Sequence, residues 1–293
     1  METPDARPYN LPDNAVWFIT GCSSGIGQGL AEYIATKKPS QRVVATARNP
    51  ASLSDIPDGP NVLKLALDVT SVASIDAAFD TTLAHFGRVD IAVNNAGYNL
   101  MGDAESSPPG NAGARALLDT NFWGAVDVSK RALSVFRDSN PKTGQRGGVI
   151  INISSLGGYL GSPGNAFYHA SKFALEGFAE SIAKEVFPEW NIHRMPRHPA
   201  YDRPEGPTTG MLAFMDRPEL HAGFAGPEEV AERIYAVVGT GERGIPMRVP
   251  LGRDSWEMVM GETERVRGEL EEWREFSCGM GNTDVEGMAK LVR

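Results

Sequence analysis

Two side chains suited to proton transfer, Tyr168 and Lys172, lie four residues apart in the second half of the chain. If the segment 165–177 is helical, both side chains lie on one face, one turn apart. An ammonium group beside a phenol stabilises the phenolate and lowers the pKa of the tyrosine, so Tyr168 could exchange a proton with an alcohol or ketone oxygen. Tyrosine and lysine also occur at this spacing by chance on solvated helices, so the pair alone favours a structural role.

A hydroxyl group precedes this pair at the end of a predicted strand. The run Ile151-Asn-Ile-Ser-Ser-Leu-Gly-Gly changes from apolar to small residues, which predicts a buried strand that ends near Ser155. With Pro163 and the wording Tyr-His-Ala-Ser-Lys, the set of Ser155, Tyr168 and Lys172 resembles the catalytic segment of the short-chain dehydrogenase/reductase family. The sequence that follows Lys172 most resembles that of the hydroxysteroid and retinol dehydrogenase branch, and this resemblance implies a lipophilic substrate.

A glycine-rich loop near the N-terminus suits the phosphates of a dinucleotide. Residues 15–20 form an apolar run typical of a buried parallel strand, and a helical pattern follows Gly27. Glycines permit a tight turn and the close approach of backbone amides to a phosphate, and the helix N-terminus attracts the anion. Glycine loops also simply turn chains, but the spacing of Thr20-Gly21 and Gly25-Ile-Gly27 resembles the loop of the same family.

The second predicted strand, 42–48, ends in the residue that should select the cofactor. An acidic side chain there would bind the ribose hydroxyls of NAD and repel a 2′-phosphate. This chain has Ala47 followed by Arg48 instead. Because a guanidinium can bind a phosphate, we predict a preference for NADP(H). The alternative is that Arg48 is a solvated loop charge.

Three further stretches match the family in order along the chain. Asp68 and Val69 end the third predicted strand, where the resemblance implies contact with adenine, although Asp68 could also be a turn or capping residue. Asn94-Asn95-Ala96-Gly97 follows the fourth strand. Asn121 lies within a helix predicted over 114–138; a buried asparagine there can bend the helix and hold a water that links Lys172 to solvent.

The resemblance therefore implies two sets of site residues. The catalytic set is Asn121, Ser155, Tyr168 and Lys172. The cofactor-binding set is Gly21, Ser23, Ser24, Gly25, Ile26, Gly27, Arg48, Asp68, Val69, Asn95, Ala96, Gly97, Tyr168 and Lys172.

Composition excludes several other classes of protein. A net charge of −9 and a pI near 5.2 argue against a nucleic-acid surface. The two cysteines, Cys22 and Cys278, and the five histidines show no metal-ligand spacing, so no metal is predicted. The N-terminus lacks the layout of a signal peptide and no apolar run approaches a membrane span, so we expect a cytoplasmic protein. The family resemblance allows a homodimer or homotetramer formed by the two long helices.

The predicted fold is α/β, a Rossmann-type doubly wound parallel sheet in a single domain. Residues 1–14 should form a flexible tail and 15–293 the NADP-binding domain. The family expects a sixth strand near Ile192, but four prolines lie between 196 and 207, which predicts that this strand is missing or rebuilt, by deletion or by divergence. This gap leaves open an alternative function, a catalytically silent dinucleotide-binding protein such as a redox sensor or a damaged paralogue.

Overall fold

A parallel sheet of six strands forms the centre of the protein in a computed structural model that describes residues 9–185, 192–196, 226–239 and 248–275. The order across the sheet is β3-β2-β1-β4-β5-β6, which is the doubly wound order with its switch point between β1 and β4. The predicted fold class is therefore confirmed. The strands are β1 (Val16–Ile19), β2 (Arg42–Ala47), β3 (Val62–Ala66), β4 (Ile91–Asn94), β5 (Gly148–Asn152) and β6 (Ile192–Pro196).

Helices cover both faces of the sheet because the buried strands carry apolar side chains on both sides. In β1, Trp17 packs with Tyr235 on one face, whereas Phe18 stacks on Phe79 on the other at a centroid distance of 4.2 Å. Successive residues of a strand point to opposite faces, so one strand supplies both cores. The helices are α1 (Gly25–Lys37), α2 (Val72–Phe86), α3 (Ala112–Leu118), α4 (Ala125–Ser134), α5 (Ala166–Glu185), α6 (Pro227–Val238) and α7 (Arg253–Glu272).

The segment in which we expected no strand contains β6. It pairs with β5 in parallel, from Gly148 opposite Ile192 to Asn152 opposite Pro196. The expectation of a missing strand is thus corrected for these residues, because the prolines that argued against it begin only at the last strand position. The region 197–225 lies outside the described residues.

The long helix predicted over residues 114–138 is interrupted twice. A π-helical turn, Asp119–Gly124, separates α3 from α4, and a second one follows α4 at Val135–Ser139. Asn121 lies in the first of these turns. Gly124 brings this turn against Val69, since a Cβ at Gly124 would lie 2.7 Å from a Val69 methyl carbon. π-helical turns are rare in proteins, and those that do occur are frequently found at functional sites.

Candidate active site

A cavity of about 920 Å³ lies at the carboxyl ends of the strands, where ligands bind in doubly wound folds. It is lined by every residue of the predicted cofactor-binding set except Gly27. Of the predicted catalytic set, Ser155, Tyr168 and Lys172 line it, and Asn121 does not. Lining residues to which no role was assigned include Tyr98, Asn99, Asp119, Thr120 and Ser154. Each of these residues lies next to a recognised motif in the sequence, and this proximity could have identified them as candidates.

Close packing around the loop between β1 and α1 explains its glycines. Gly21 and Gly25 adopt positive φ angles of 71° and 61°, in the left-handed region that favours glycine. A Cβ at Gly21 would lie 2.8 Å from the Cα of Ala96. At Gly27 a Cβ would lie 2.5 Å from the carbonyl oxygen of Gly21 and would overlap the Asn95 amide. The loop therefore presents bare backbone at the start of α1, as an anionic phosphate requires.

The loop is tied to the end of β4 by a set of short hydrogen bonds. The side-chain amide of Asn95 donates to the carbonyl oxygens of Thr20 and Gly21, both at 2.9 Å. The Thr20 hydroxyl accepts from the backbone N–H groups of Asn95 and Ala96, both at 3.0 Å. The asparagine of the Asn-Ala-Gly segment thus fixes the loop between β1 and α1 to the neighbouring strand.

Two charged residues stand at the ends of β2 and β3 on one side of the cavity. Arg48 is exposed and lines the cavity. Asp68 accepts hydrogen bonds from the hydroxyl of Thr70 at 2.7 Å and from its backbone N–H at 2.9 Å. These bonds, with a smaller contribution from the charge of Arg48, lower the pKa of Asp68. Asp68 is therefore both a turn residue and a cavity residue, so the two interpretations of its role are compatible.

Lys172 is buried at the base of the cavity. Its ammonium donates to the carbonyl oxygen of Ile153 at 2.7 Å and lies 5.7 Å from the centroid of the Tyr168 ring. Burial lowers the pKa of Lys172 to about 8, and the nearby charge of Glu176 acts in the opposite direction. The helical spacing inferred from the sequence does place the lysine next to the phenol.

Ser155 follows β5 and caps a short 3₁₀ turn. Its hydroxyl oxygen accepts from the backbone N–H of Gly157 at 3.1 Å. Among the described residues no acceptor takes its hydroxyl proton, although the side chain is almost fully buried and lines the cavity. A buried hydroxyl in this state can donate a hydrogen bond to an oxygen atom of a ligand.

Asn121 lies behind the cavity and connects two segments. Its side-chain carbonyl accepts from the backbone N–H of Tyr98 at 3.0 Å, and its amide donates to the Tyr98 carbonyl at 2.9 Å. The amide also donates to the Ser171 hydroxyl at 3.2 Å. The side chain thus holds the segment after β4 against α5. The water that we assigned to Asn121 stays a prediction.

His169, next to Tyr168, holds the loop between β5 and α5. Its Nε2 accepts from the backbone N–H of Ser162 at 3.1 Å, and its Nδ1 lies 3.0 Å from the carbonyl oxygen of Gly157. Both contacts are satisfied by a neutral ring that carries its proton on Nδ1. Burial lowers the pKa of His169, which agrees with a neutral ring. The sequence contains His169 within the matched wording, but no role was assigned to it.

A second charged cluster lies behind Lys172, one and two turns further along α5. Glu176 is buried, and burial raises its pKa while the charges of Arg248 and Lys172 oppose the rise. Arg248 contacts the Glu176 carboxylate at 3.4 Å and donates to Glu180 at 2.6 Å. The four-residue spacing from Tyr168 continues through these glutamates, and that periodicity could have indicated the cluster.

No group of three or more potential metal ligands of the His, Cys, Asp or Glu type occurs within the described residues. Over the same ranges, no helix combines the length and apolar character that a bilayer span needs.

Comparisons with known proteins found similar sequences and similar solved structures. A family model described as short chain dehydrogenase matches residues 15–199. The chain is 39% identical over 302 residues to "Oxidoreductase calM" of Penicillium decumbens, covering 95% of this chain and 97% of that protein. A short-chain dehydrogenase from Streptomyces avermitilis is similar in structure, with a TM-score of 0.74 and 30% identity over 90% of this chain and 99% of that one. A 3-ketoacyl-(acyl-carrier-protein) reductase from Brucella melitensis complexed with NADH has a TM-score of 0.67 and 27% identity over 82% of this chain and 97% of that one.

Proposed function

Because the chain belongs to the short-chain dehydrogenase family, we propose that it transfers a hydride reversibly between NADP(H) and a carbonyl or secondary alcohol. One observation carries this proposal. A single cavity at the strand ends joins the glycine loop and Arg48 to Ser155, Tyr168 and Lys172. The cofactor half and the chemical half of the site are thus continuous.

The residues present fit a dinucleotide. The loop at Gly21 and Gly27 leaves no room for a Cβ, so its bare backbone can approach a pyrophosphate, and the N-terminus of α1 favours the anion. Gly21, Ser23, Ser24, Gly25 and Ile26 would hold the phosphates; Asp68 and Val69 would face the adenine. Asn95, Ala96 and Gly97 would line the path towards the nicotinamide end. When bound, NADPH supplies the hydride.

The remaining residues handle the proton and the substrate oxygen. In the reduction direction Tyr168 donates its proton to the carbonyl oxygen. Ser155, whose hydroxyl proton has no acceptor among the described residues, donates a hydrogen bond to the same oxygen and stabilises the developing charge. Lys172 holds a positive charge near the phenol and thereby favours proton loss from Tyr168. Asn121 positions α5 against the segment after β4.

The choice of NADP(H) is tested with Arg48. Replacement Arg48→Ala should weaken NADPH binding by about tenfold to a hundredfold, since a charge-assisted hydrogen bond contributes roughly 1.5–3 kcal/mol. Binding of NADH should stay as in the wild type. Lys142→Ala is the control because it removes an exposed charge that precedes the amino-terminal end of β5, whereas the cavity lies at the carboxyl ends of the strands. Equal losses for both cofactors in Arg48→Ala would contradict the assignment.

Catalysis is tested with Tyr168→Phe. This variant should retain NADPH binding in a fluorescence titration but lose turnover with ketones, aldehydes and quinones, tested from polar to lipophilic members. The sequence around Tyr168 supports a lipophilic substrate, so the wild type should react best with the more apolar compounds of this panel. Undiminished turnover in the variant would refute the mechanism.

The alternative function is dinucleotide binding without turnover. This alternative rested on the expectation that the sixth strand is missing. In the structure, β6 pairs with β5 in that place in the sheet. The four predicted catalytic residues are all present in the chain. Wild-type protein that binds NADPH but never oxidises it with any member of the panel would favour the alternative.

A further inference from the structure

Helix α7 carries large apolar side chains that face solvent. Trp256 is 54% exposed, Leu270 68% and Trp273 58%. Every residue from Thr263 to Glu272 is exposed, whereas Ser255 near the start of α7 is buried. A monomeric protein seldom exposes a contiguous apolar stripe of this kind, which marks an interaction surface.

The stripe has the period of a helix that pairs with another helix. Its members follow each other at alternating spacings of three and four residues, the a and d positions of a heptad repeat. The apolar members are Trp256, Val259, Val266, Leu270 and Trp273, and the polar Thr263 occupies the a position between Val259 and Val266. A repeat of 3.5 residues keeps one seam towards a partner helix over several turns.

The charged residues beside the stripe determine which partner helix can pair with α7 and whether the two helices run parallel or antiparallel. Glu262 and Glu269 occupy the g positions, and Arg267 and Arg274 the e positions of the following heptads. In a parallel pair of identical helices, each g residue faces the e residue of the next heptad of the second copy, so every such pair joins a glutamate to an arginine. In an antiparallel pair, g faces g and e faces e, so like charges would meet.

The charges of α7 are compatible with this pairing and disfavour an anionic lipid surface. Arg265, on the outer side of the helix, bonds both g-position glutamates and leaves each carboxylate able to accept more. Arg267 has no ion pair within the described part of the chain. Acidic residues outnumber basic ones along α7, so anionic lipid headgroups would repel it.

We propose that two copies of this chain associate through α7 as a parallel coiled coil. The interface is isologous, and the two-fold axis runs along the paired helices. Residue 270 of one copy then lies beside residue 270 of the other. This interface does not depend on catalysis, so it can fail or hold independently of the proposed function.

A cysteine crosslink tests the register and the direction. Leu270→Cys, made in a Cys278→Ala background, should form a disulfide-linked dimer under mild oxidation, whereas Glu264→Cys on the outer face should not. Cys22 is buried and does not interfere. Absence of the Leu270→Cys dimer, or equal crosslinking of both variants, overturns the proposal.

Charge reversal tests the pairing itself. The variants E262R/E269R and R267E/R274E each place like charges across the interface, so each should have half the particle mass of the wild type in light scattering. Mixing the two should restore the wild-type mass because every g–e pair is again opposite in charge. A second contact that joins a different pair of copies would change the absolute mass but not this ratio.

Three results of the mixing experiment overturn the proposal: a wild type of single-chain mass, a variant that keeps the wild-type mass, or a mixture that stays at half mass. Circular dichroism of each variant before mixing confirms its fold. Recovery on mixing also distinguishes lost pairing from lost folding, since two misfolded chains would not restore a defined particle.

Discussion

Replacement of Gly27 by alanine should destabilise the protein and weaken dinucleotide binding together. The new Cβ would lie 2.5 Å from the carbonyl oxygen of Gly21 and would overlap the side-chain amide of Asn95. Neither neighbour can yield easily. The Gly21 oxygen is backbone, and the Asn95 amide donates to the carbonyl oxygens of Thr20 and Gly21.

The magnitude follows from three contributions. Overpacking costs about 1–3 kcal/mol. Loss of the two hydrogen bonds of Asn95 adds about 1 kcal/mol for each bond. The higher helix propensity of alanine stabilises the folded state by about 1 kcal/mol and offsets part of this loss. The net loss in the free energy of unfolding is thus roughly 2–4 kcal/mol, and each kcal/mol lowers Tm by about 2–4 °C.

A matched control is available in α5. Gly177 is exposed and helical, and a Cβ there would meet nothing within 4 Å. Gly177→Ala should therefore stabilise the protein by up to about 1 kcal/mol. Thermal unfolding followed by circular dichroism, with an NADPH titration of each variant, measures both effects. A Gly27→Ala variant that melts and binds NADPH like the wild type would refute the close-packing argument.

Two further variants test the electrostatics of α5. Glu176→Gln should lower the pKa of Lys172 below about 8, because the charge of Glu176 raises that pKa. The basic limb of the pH–rate profile should then shift to lower pH. Glu180→Gln is the control and should leave the basic limb in place. His169 has a lowered pKa when folded, so the unfolded chain binds more protons and the free energy of unfolding falls as pH drops below 6.5. Denaturant titrations from acid to neutral pH should show a smaller fall in the free energy of unfolding for His169→Gln than for the wild type.

The sheet and the glycine-rich turn between β1 and α1 could be predicted because their sequence signals are short-range. An apolar run, a glycine turn and a helical period lie together within residues 15–37, and each element can be identified from its own stretch. The right-handed crossover rule then limits how such units join into one parallel sheet. The prediction for 191–207 failed for the opposite reason. It treated the segment as one unit, although its prolines start where β6 ends.

The setting of Asn121 could not be predicted, because it depends on contacts between distant segments. The π turn around Asn121 lies where Gly124 meets Val69, and the Asn121 amide bonds the backbone of Tyr98. Neither contact leaves a periodic or compositional trace in the sequence. A helix prediction over 114–138 therefore finds the correct segment but not the turn that positions the residue.

The charge of Lys172 depends on residues that lie beyond the recognised motif. Burial alone would favour the neutral lysine, and the carboxylate of Glu176 is what opposes that shift. Burial raises the pKa of Glu176, and a hydrogen bond from Ser154 together with the cations Arg248 and Lys172 opposes that rise. One of these cations, Arg248, comes from a segment more than seventy residues further along the chain. The charge of Lys172 therefore depends in part on the contact of Arg248 with α5, and a substitution at Arg248 would act on Lys172 without touching the cavity.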